Sequence, residues 1–133
     1  MSNFILPRVT ESESKCRCGC EVVASLYFLR TISRLLTLYN KPVKITTSYR
    51  CPEYNNQIGG VKDSPHLLND AVFGAVDLRC YNPIERMKLI KLIMPMVEKG
   101  IFNHVEVCDK HIHLARVPSD HRLANMFNWG RSK

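Results

Sequence analysis

Between about Glu21 and Tyr39 the apolar residues Val22, Val23, Leu26, Leu29, Ile32, Leu35 and Leu36 recur at three- and four-residue spacing. That period places them on one face of a helix, which Asn40 and Pro42 bring to an end. The pattern then changes. Val43 to Tyr49 alternates and is rich in β-branched residues, which predicts a strand. Pro52 suits the first turn of a short helix over Glu53–Ile58, and Gly59-Gly60 opens a loop. Gly74–Arg79 reads as a short buried strand. Asn82 as cap, Pro83 at the first helical position and Glu85 in the first turn start a second long helix. It runs to about Glu98 and stops at Gly100. His104–Val107 and His111–Ala115 alternate on either side of Asp109-Lys110, which predicts a β-hairpin.

The order α-β-α-β-α-β-β with a closing antiparallel pair predicts an α+β fold, a small antiparallel sheet packed on two helices. The 133 residues fit a single domain, with residues 1–20 as a polar, Ser-rich and finally Cys-rich N-terminal segment. No internal repeat and no linker is visible. A chain of this size buries about two-thirds of its unfolded surface, so it needs neither metal nor disulfide merely to fold. With 45% hydrophobic and 23% charged residues, disordered and fibrous classes are excluded.

The net charge of +7 favours an acidic partner: nucleic acid, an anionic membrane surface or the anionic bacterial wall. The Lys and Arg residues are scattered, however, and no aromatic-interleaved basic stripe marks a nucleic-acid module. No specific nucleic-acid partner is expected. No apolar stretch approaches the roughly 18 residues needed to span a membrane. Met1 to Pro7 lacks the basic start and apolar core of a signal peptide, so the chain reads as cytosolic when made. Its six cysteines are then expected to be reduced or bound to metal.

Candidate chemistry gathers around Ser64-Pro65-His66, Asp77, His111 and His113. His111 and His113 alternate on one strand and therefore face the same side. Asp77 lies within Ala75-Val76-Asp77-Leu78, where an unpartnered carboxylate is costly to bury. Two neutral imidazoles and a carboxylate leave a fourth position for water, the open site a catalytic zinc needs. Spacing alone leaves the plainer readings standing. A strand histidine is more often a hydrogen-bonded core residue, and Asp77 could pair with Arg79 or Arg50.

The stretch Thr47-Ser48-Tyr49-Arg50-Cys51-Pro52-Glu53-Tyr54-Asn55, then Gly59-Gly60, Ser64-Pro65-His66, Ala75-Val76-Asp77-Leu78 and His111-Ile112-His113, resembles the zinc D-Ala-D-Ala carboxypeptidases. That superfamily also includes vancomycin-resistance dipeptidases, phage endolysins and the Hedgehog signalling domain. Cys16-Arg17-Cys18-Gly19-Cys20 ahead of a long helix is similar to its phage and prophage branch. The likeness covers roughly residues 14–116, with the motifs in the family's order. It implies a Hedgehog/DD-peptidase-like fold and a zinc ion held by His66, Asp77 and His113. Arg50 would hold a substrate carboxylate with its rigid fork of donors. Ser64 would hydrogen-bond the substrate near the metal, and His111 would stabilise the developing oxyanion. The implied substrate is a peptidoglycan stem peptide, cut by a carboxypeptidase or an endopeptidase. The implied role is a phage or prophage cell-wall hydrolase that a holin or the virion delivers, with virion or tail proteins as possible partners.

The chain also departs from the family. Ten residues separate His66 from Asp77, a longer interval than the family's, which makes Asp70 the fallback ligand. Ala115 and Lys110 stand where relatives carry an acid. The general base must then come from elsewhere on the hairpin. A two-residue Asp109-Lys110 turn sets Glu106 opposite His113, with side chains about 5 Å apart. A three-residue turn moves Glu106 to the other face and favours Asp109. The missing acids also keep a rival in play, a zinc-containing binding or structural module without catalysis.

The remaining features receive plainer readings. Cys16, Cys18 and Cys20 could bind a structural metal with Cys51, Cys80 or Cys108. Their one-residue spacing departs from zinc ribbons, which favours buried or inert thiols. The Met and Leu residues of Met87–Val97 are helix core, Trp129 packs, and His104 is a surface hairpin residue or a member of the active face.

Overall fold

The structure, a computed structural model, describes residues 6–131 of the chain. Most of the Met1–Pro7 stretch, on which the expectation about targeting rests, lies outside the described residues. The helices are α1 (Glu11–Ser14), α2 (Leu26–Tyr39), α3 (Pro52–Gln57) and α4 (Pro83–Glu98), with one 3-10 turn at Pro65–Leu67. The strands are β1 (Ile45–Thr47), β2 (Gly74–Arg79), β3 (His104–Cys108), β4 (His111–Arg116) and β5 (Met126–Arg131). They form a single sheet in the order β1-β2-β4-β3-β5. The fold is α+β, and its first four strands are antiparallel, as expected. A fifth strand, not anticipated, joins β3 in parallel and makes the sheet mixed.

Capping decides where the helices begin. The apolar stripe of α2 continues back to Val22, yet the helix starts at Leu26, because the Ser25 hydroxyl accepts from the Phe28 amide. The residues before it are extended: Lys15 bridges Val23, and the Cys16 amide donates to the Val22 carbonyl at 2.9 Å. Asn40 ends α2 in the left-handed region, at φ 62°. In α4 the Asn82 side chain accepts from the Ile84 and Glu85 amides at 2.8 and 3.2 Å, as its position predicts. The short α1, not among the expected helices, carries a capping box of Thr10 with Glu13. The same Glu13 carboxylate accepts the Ile45 amide at 2.8 Å and ties α1 to β1.

Strand alternation gives the sheet two unlike faces. Val76, Leu78, Val105, Val107, Ile112 and Leu114 are buried in one apolar cluster with Phe28, Leu29, Ile32, Leu35 and Leu36 of α2. Leu89, Ile93 and Met96 of α4 and Phe102 belong to the same core. Each fully buried aliphatic or aromatic side chain there stabilises the fold by about 1.5–3 kcal/mol. The other face carries Ala75, Asp77 and Arg79 of β2, His111, His113 and Ala115 of β4, and His104, Glu106 and Cys108 of β3. The hairpin turn has two residues, and its register sets Glu106 opposite His113. Asp77 pairs with His113 from the other side, so Asp77, His113 and Glu106 form one row across three strands. Among the described residues no helix is long and apolar enough to cross a membrane.

Candidate active site

Two side chains of the site stand on the sheet and a third is brought over it. Asp77 and His113 are paired neighbours on β2 and β4. His66 belongs to the 3-10 turn, whose cap is Ser64: its hydroxyl accepts from the His66 amide at 3.2 Å. The long interval to Asp77 is taken up by residues 68–73, which loop outward before β2. Ala71 lies in the left-handed region there, and its carbonyl accepts from the Ser25 hydroxyl. The Asn69 amide reaches the Val23 carbonyl at 3.2 Å. The extra residues are thus anchored on the start of α2, and Asp77 stays in register. Asp70 is exposed and lines a groove with Val22–Tyr27, apart from the histidines.

One possible ligand atom from each of His66, Asp77 and His113 lies within 4.8 Å of the others. His113 Nδ1 is 2.9 Å from Asp77 Oδ1, and His66 Nε2 is 3.3 Å from Asp77 Oδ2. Both histidines are buried and Asp77 is nearly so. Burial alone would raise the Asp77 carboxyl, but the His113 and His66 imidazoles beside it outweigh that and hold the group well below the usual range. The carboxylate is ionised. His66 Nδ1 is 2.6 Å from the Ser48 carbonyl, which can only accept, so this nitrogen carries the proton. In the neutral ring Nε2 is then a bare acceptor facing a carboxylate oxygen. Two acceptors face each other, and a cation between them resolves the conflict. Two imidazoles and one carboxylate are zinc donors, and a carbonyl that fixes the tautomer of one of them is the usual outer partner. The residues present fit that metal.

Arg50 borders the cluster. Its backbone amide donates to the His66 carbonyl at 2.8 Å, and its Nη2 donates to Ser64 Oγ at 2.7 Å. Its Nε is buried without a hydrogen-bond partner. Burial pulls the guanidinium below its ordinary value while the Asp77 charge opposes that shift. A half-buried cation with a spare donor suits a carboxylate. Ser64 is buried between Arg50 and His66 and positions both. Beyond it, Arg122 grips Asp63 through two hydrogen bonds of 2.6 and 2.9 Å. His121 Nε2 donates to the Asp63 carbonyl at 2.8 Å. These contacts hold the loop after β4 beside the site. At the end of α3 the chain turns through Gly60, where a Cβ would collide with the Asn55 amide.

The hairpin residues divide clearly. Glu106 is half-buried on the row with His113, and Asn128 of β5 pairs with it on the other side. Asp109 is exposed in the turn, where its carbonyl accepts from Arg86. The two-residue turn therefore meets the condition that favours Glu106. His111 is half-buried and pairs with Arg79, one alternation away from the cluster. Lys110 is exposed, and Ala115 is fully buried against Ala75 and Val117. Of the two readings of His104, a surface hairpin residue or a member of the active face, the structure bears out the second. His104 is buried, its ring packs edge-on to His113 with centroids 5.0 Å apart, and its Nδ1 donates to the Met126 carbonyl at 3.0 Å. Burial first, then His113, holds His104 below its ordinary pKa, so it is neutral. The sequence pattern does not mark β5, whose Met126 carbonyl is the partner of this ring. Trp129, expected to pack, lies on that edge strand and is 47% exposed.

Over residues 2–115 the chain matches the family described as Peptidase M15. No curated protein and no solved structure matches it.

Proposed function

The chain belongs to the Peptidase M15 family, hydrolases that are generally zinc-dependent, and from that premise we propose that it is a single-domain zinc peptidase cutting peptidoglycan stem peptides. The observation that carries this reading is the row Asp77–His113–Glu106, with His66 and Arg50 converging on it. His66, Asp77 and His113 hold the zinc. When bound, it supplies Lewis acidity to the scissile carbonyl and to the attacking water.

The chain's own residues do the rest. Arg50, set by Ser64, binds the carboxylate of the substrate and fixes its orientation. Glu106, across from His113, takes a proton from the attacking water and passes it to the leaving amine. His111, on the same face, donates to the developing oxyanion. His104 packs against His113 and fixes the plane of its ring. The +7 charge suits the anionic bacterial wall, and the Cys16–Cys20 resemblance supports a phage or prophage wall hydrolase.

Purified protein is incubated with peptidoglycan and with D-Ala-D-Ala stem peptides, with and without chelator. Products should appear, vanish with chelator and return with added zinc. Product chemistry separates carboxypeptidase from endopeptidase. The His113→Ala variant should lose about one zinc equivalent and all turnover above background. Full zinc without turnover on any peptidoglycan would favour the binding module, to which the missing acids at Lys110 and Ala115 point.

A further inference from the structure

Four of the six cysteines meet at one point, away from the histidine cluster. Cys16, Cys18, Cys20 and Cys51 each present a sulfur, all within 4.8 Å of one another. Sγ of Cys16 and Cys18 are 3.4 Å apart, and those of Cys18 and Cys51 are 3.6 Å apart. A disulfide needs about 2.05 Å, and all four thiols are free. Four sulfurs bonded tetrahedrally to a zinc ion at about 2.3 Å lie roughly 3.8 Å apart, close to these separations. Cys80 and Cys108, also considered as partners for the N-terminal thiols, stand outside the group.

The surrounding backbone is arranged to present the sulfurs. Residues 15–23 form a closed loop, joined at its base by the Lys15–Val23 bridge. Gly19 at φ 89° and Glu21 at φ 68° reverse the chain, so that thiols only one residue apart converge. The fourth comes from Cys51, the cap of α3. Backbone amides point at the sulfurs: Cys51 N–H donates to Cys16 Sγ at 3.3 Å, and Tyr54 N–H donates to Cys51 Sγ at 3.4 Å. Such donors support thiolates in metal sites. The one-residue spacing that argued against a zinc ribbon is therefore no obstacle, since the fourth ligand arrives from a distant segment.

We propose that Cys16, Cys18, Cys20 and Cys51 form a second metal centre, a closed tetrathiolate zinc site that staples the N-terminal loop to the start of α3. With four protein ligands it has no open position and its role is structural. Arg50 immediately precedes Cys51, so the staple also fixes the backbone of the substrate-binding arginine.

The test counts metal on the full chain purified under reducing conditions. The parent should hold about two zinc equivalents, and His113→Ala and Cys20→Ser about one each. Cobalt(II) added to metal-free His113→Ala should give thiolate-to-cobalt charge-transfer absorption, absent in Cys20→Ser. Should Cys20→Ser not fold, an organomercurial added to His113→Ala should release its one remaining zinc. A zinc-free His113→Ala with no such absorption would overturn the proposal, as would disulfides among these cysteines in that protein. Zinc unchanged in His113→Ala but lowered in Cys20→Ser would count against the histidine site alone and leave this one standing.

Discussion

Strand β4 belongs to two different environments. Ile112 and Leu114 are fully buried among the side chains of α2 and α4, while His111, His113 and Ala115 point to the opposite side. The same division holds on β2, between Val76 and Asp77, and on β3, between Val105 and Glu106. On the helix face the central positions are large and apolar, and Gly74 at the end of β2 leaves room for the Phe28 ring. On the other, charged and imidazole groups stand beside the small residues Ala75 and Ala115. One face is filled for stability, and the other is left with room and polar groups for a substrate. Because the strand period is two, both sets of requirements are written in the same short segments without competing for positions. The cost falls on buried polar groups, and it is met by pairing: Asp77 with both histidines, His66 with Ser48, and His104 with Met126.

The sharpest test of this division is Leu114→Ala, one residue from His113. Truncating a fully buried leucine should destabilise the protein by about 2–5 kcal/mol. Denaturant unfolding measures that loss, while zinc content of the folded fraction should be unchanged. Loss of metal without loss of stability would break the comparison, for it would mean that the two faces are not independent.

Glu106→Gln probes the other face. The amide keeps the shape but cannot accept a proton at neutral pH. Turnover of stem peptide should fall by a factor on the order of a hundred, equivalent to about 2.7 kcal/mol of barrier, with zinc still bound. Asp109→Asn, exposed in the turn, should cost far less. The opposite ranking would move the base to Asp109 despite the register.

How much of this was legible in the sequence follows from how local each signal is. The bounds of β2 and α4, and the register of the hairpin, rest on alternation, caps and a two-residue turn, all contained within a few residues. The row Asp77–His113–Glu106 needs only the hairpin register and one further pairing, and the family resemblance supplied the second. What escaped depends on distant partners. The strand β5 joins β3 in parallel, and its Met126, Phe127 and Trp129 are exposed, so no apolar alternation marks it. The two readings of His104 stayed open for the same reason, since its partner Met126 lies on β5. The apolar stripe predicts a helix from Val22 and Val23, but their backbone pairs with Lys15 and Cys16 and α2 starts at Leu26. The cysteine group stayed ambiguous because only folding brings Cys51 to the N-terminal loop.

Arg50 lies where the two kinds of role meet, and it should show the smallest effect. It touches structure through Ser64 and the His66 carbonyl, yet one of its buried donors has no partner. If that donor serves a substrate carboxylate, Arg50→Ala removes a charge-assisted interaction, worth about 1.5–3 kcal/mol. The loss should appear as a rise in KM of roughly ten- to a hundredfold, with kcat much less affected. Melting temperature and zinc content should stay near those of the parent. Arg50→Lys should recover only part of the loss, because an ammonium keeps the charge but not the planar fork. A large drop in melting temperature with KM unchanged in the folded fraction would instead make Arg50 a structural partner of Ser64 and Asp77. The carboxylate would then have to be recognised elsewhere on this face of the sheet.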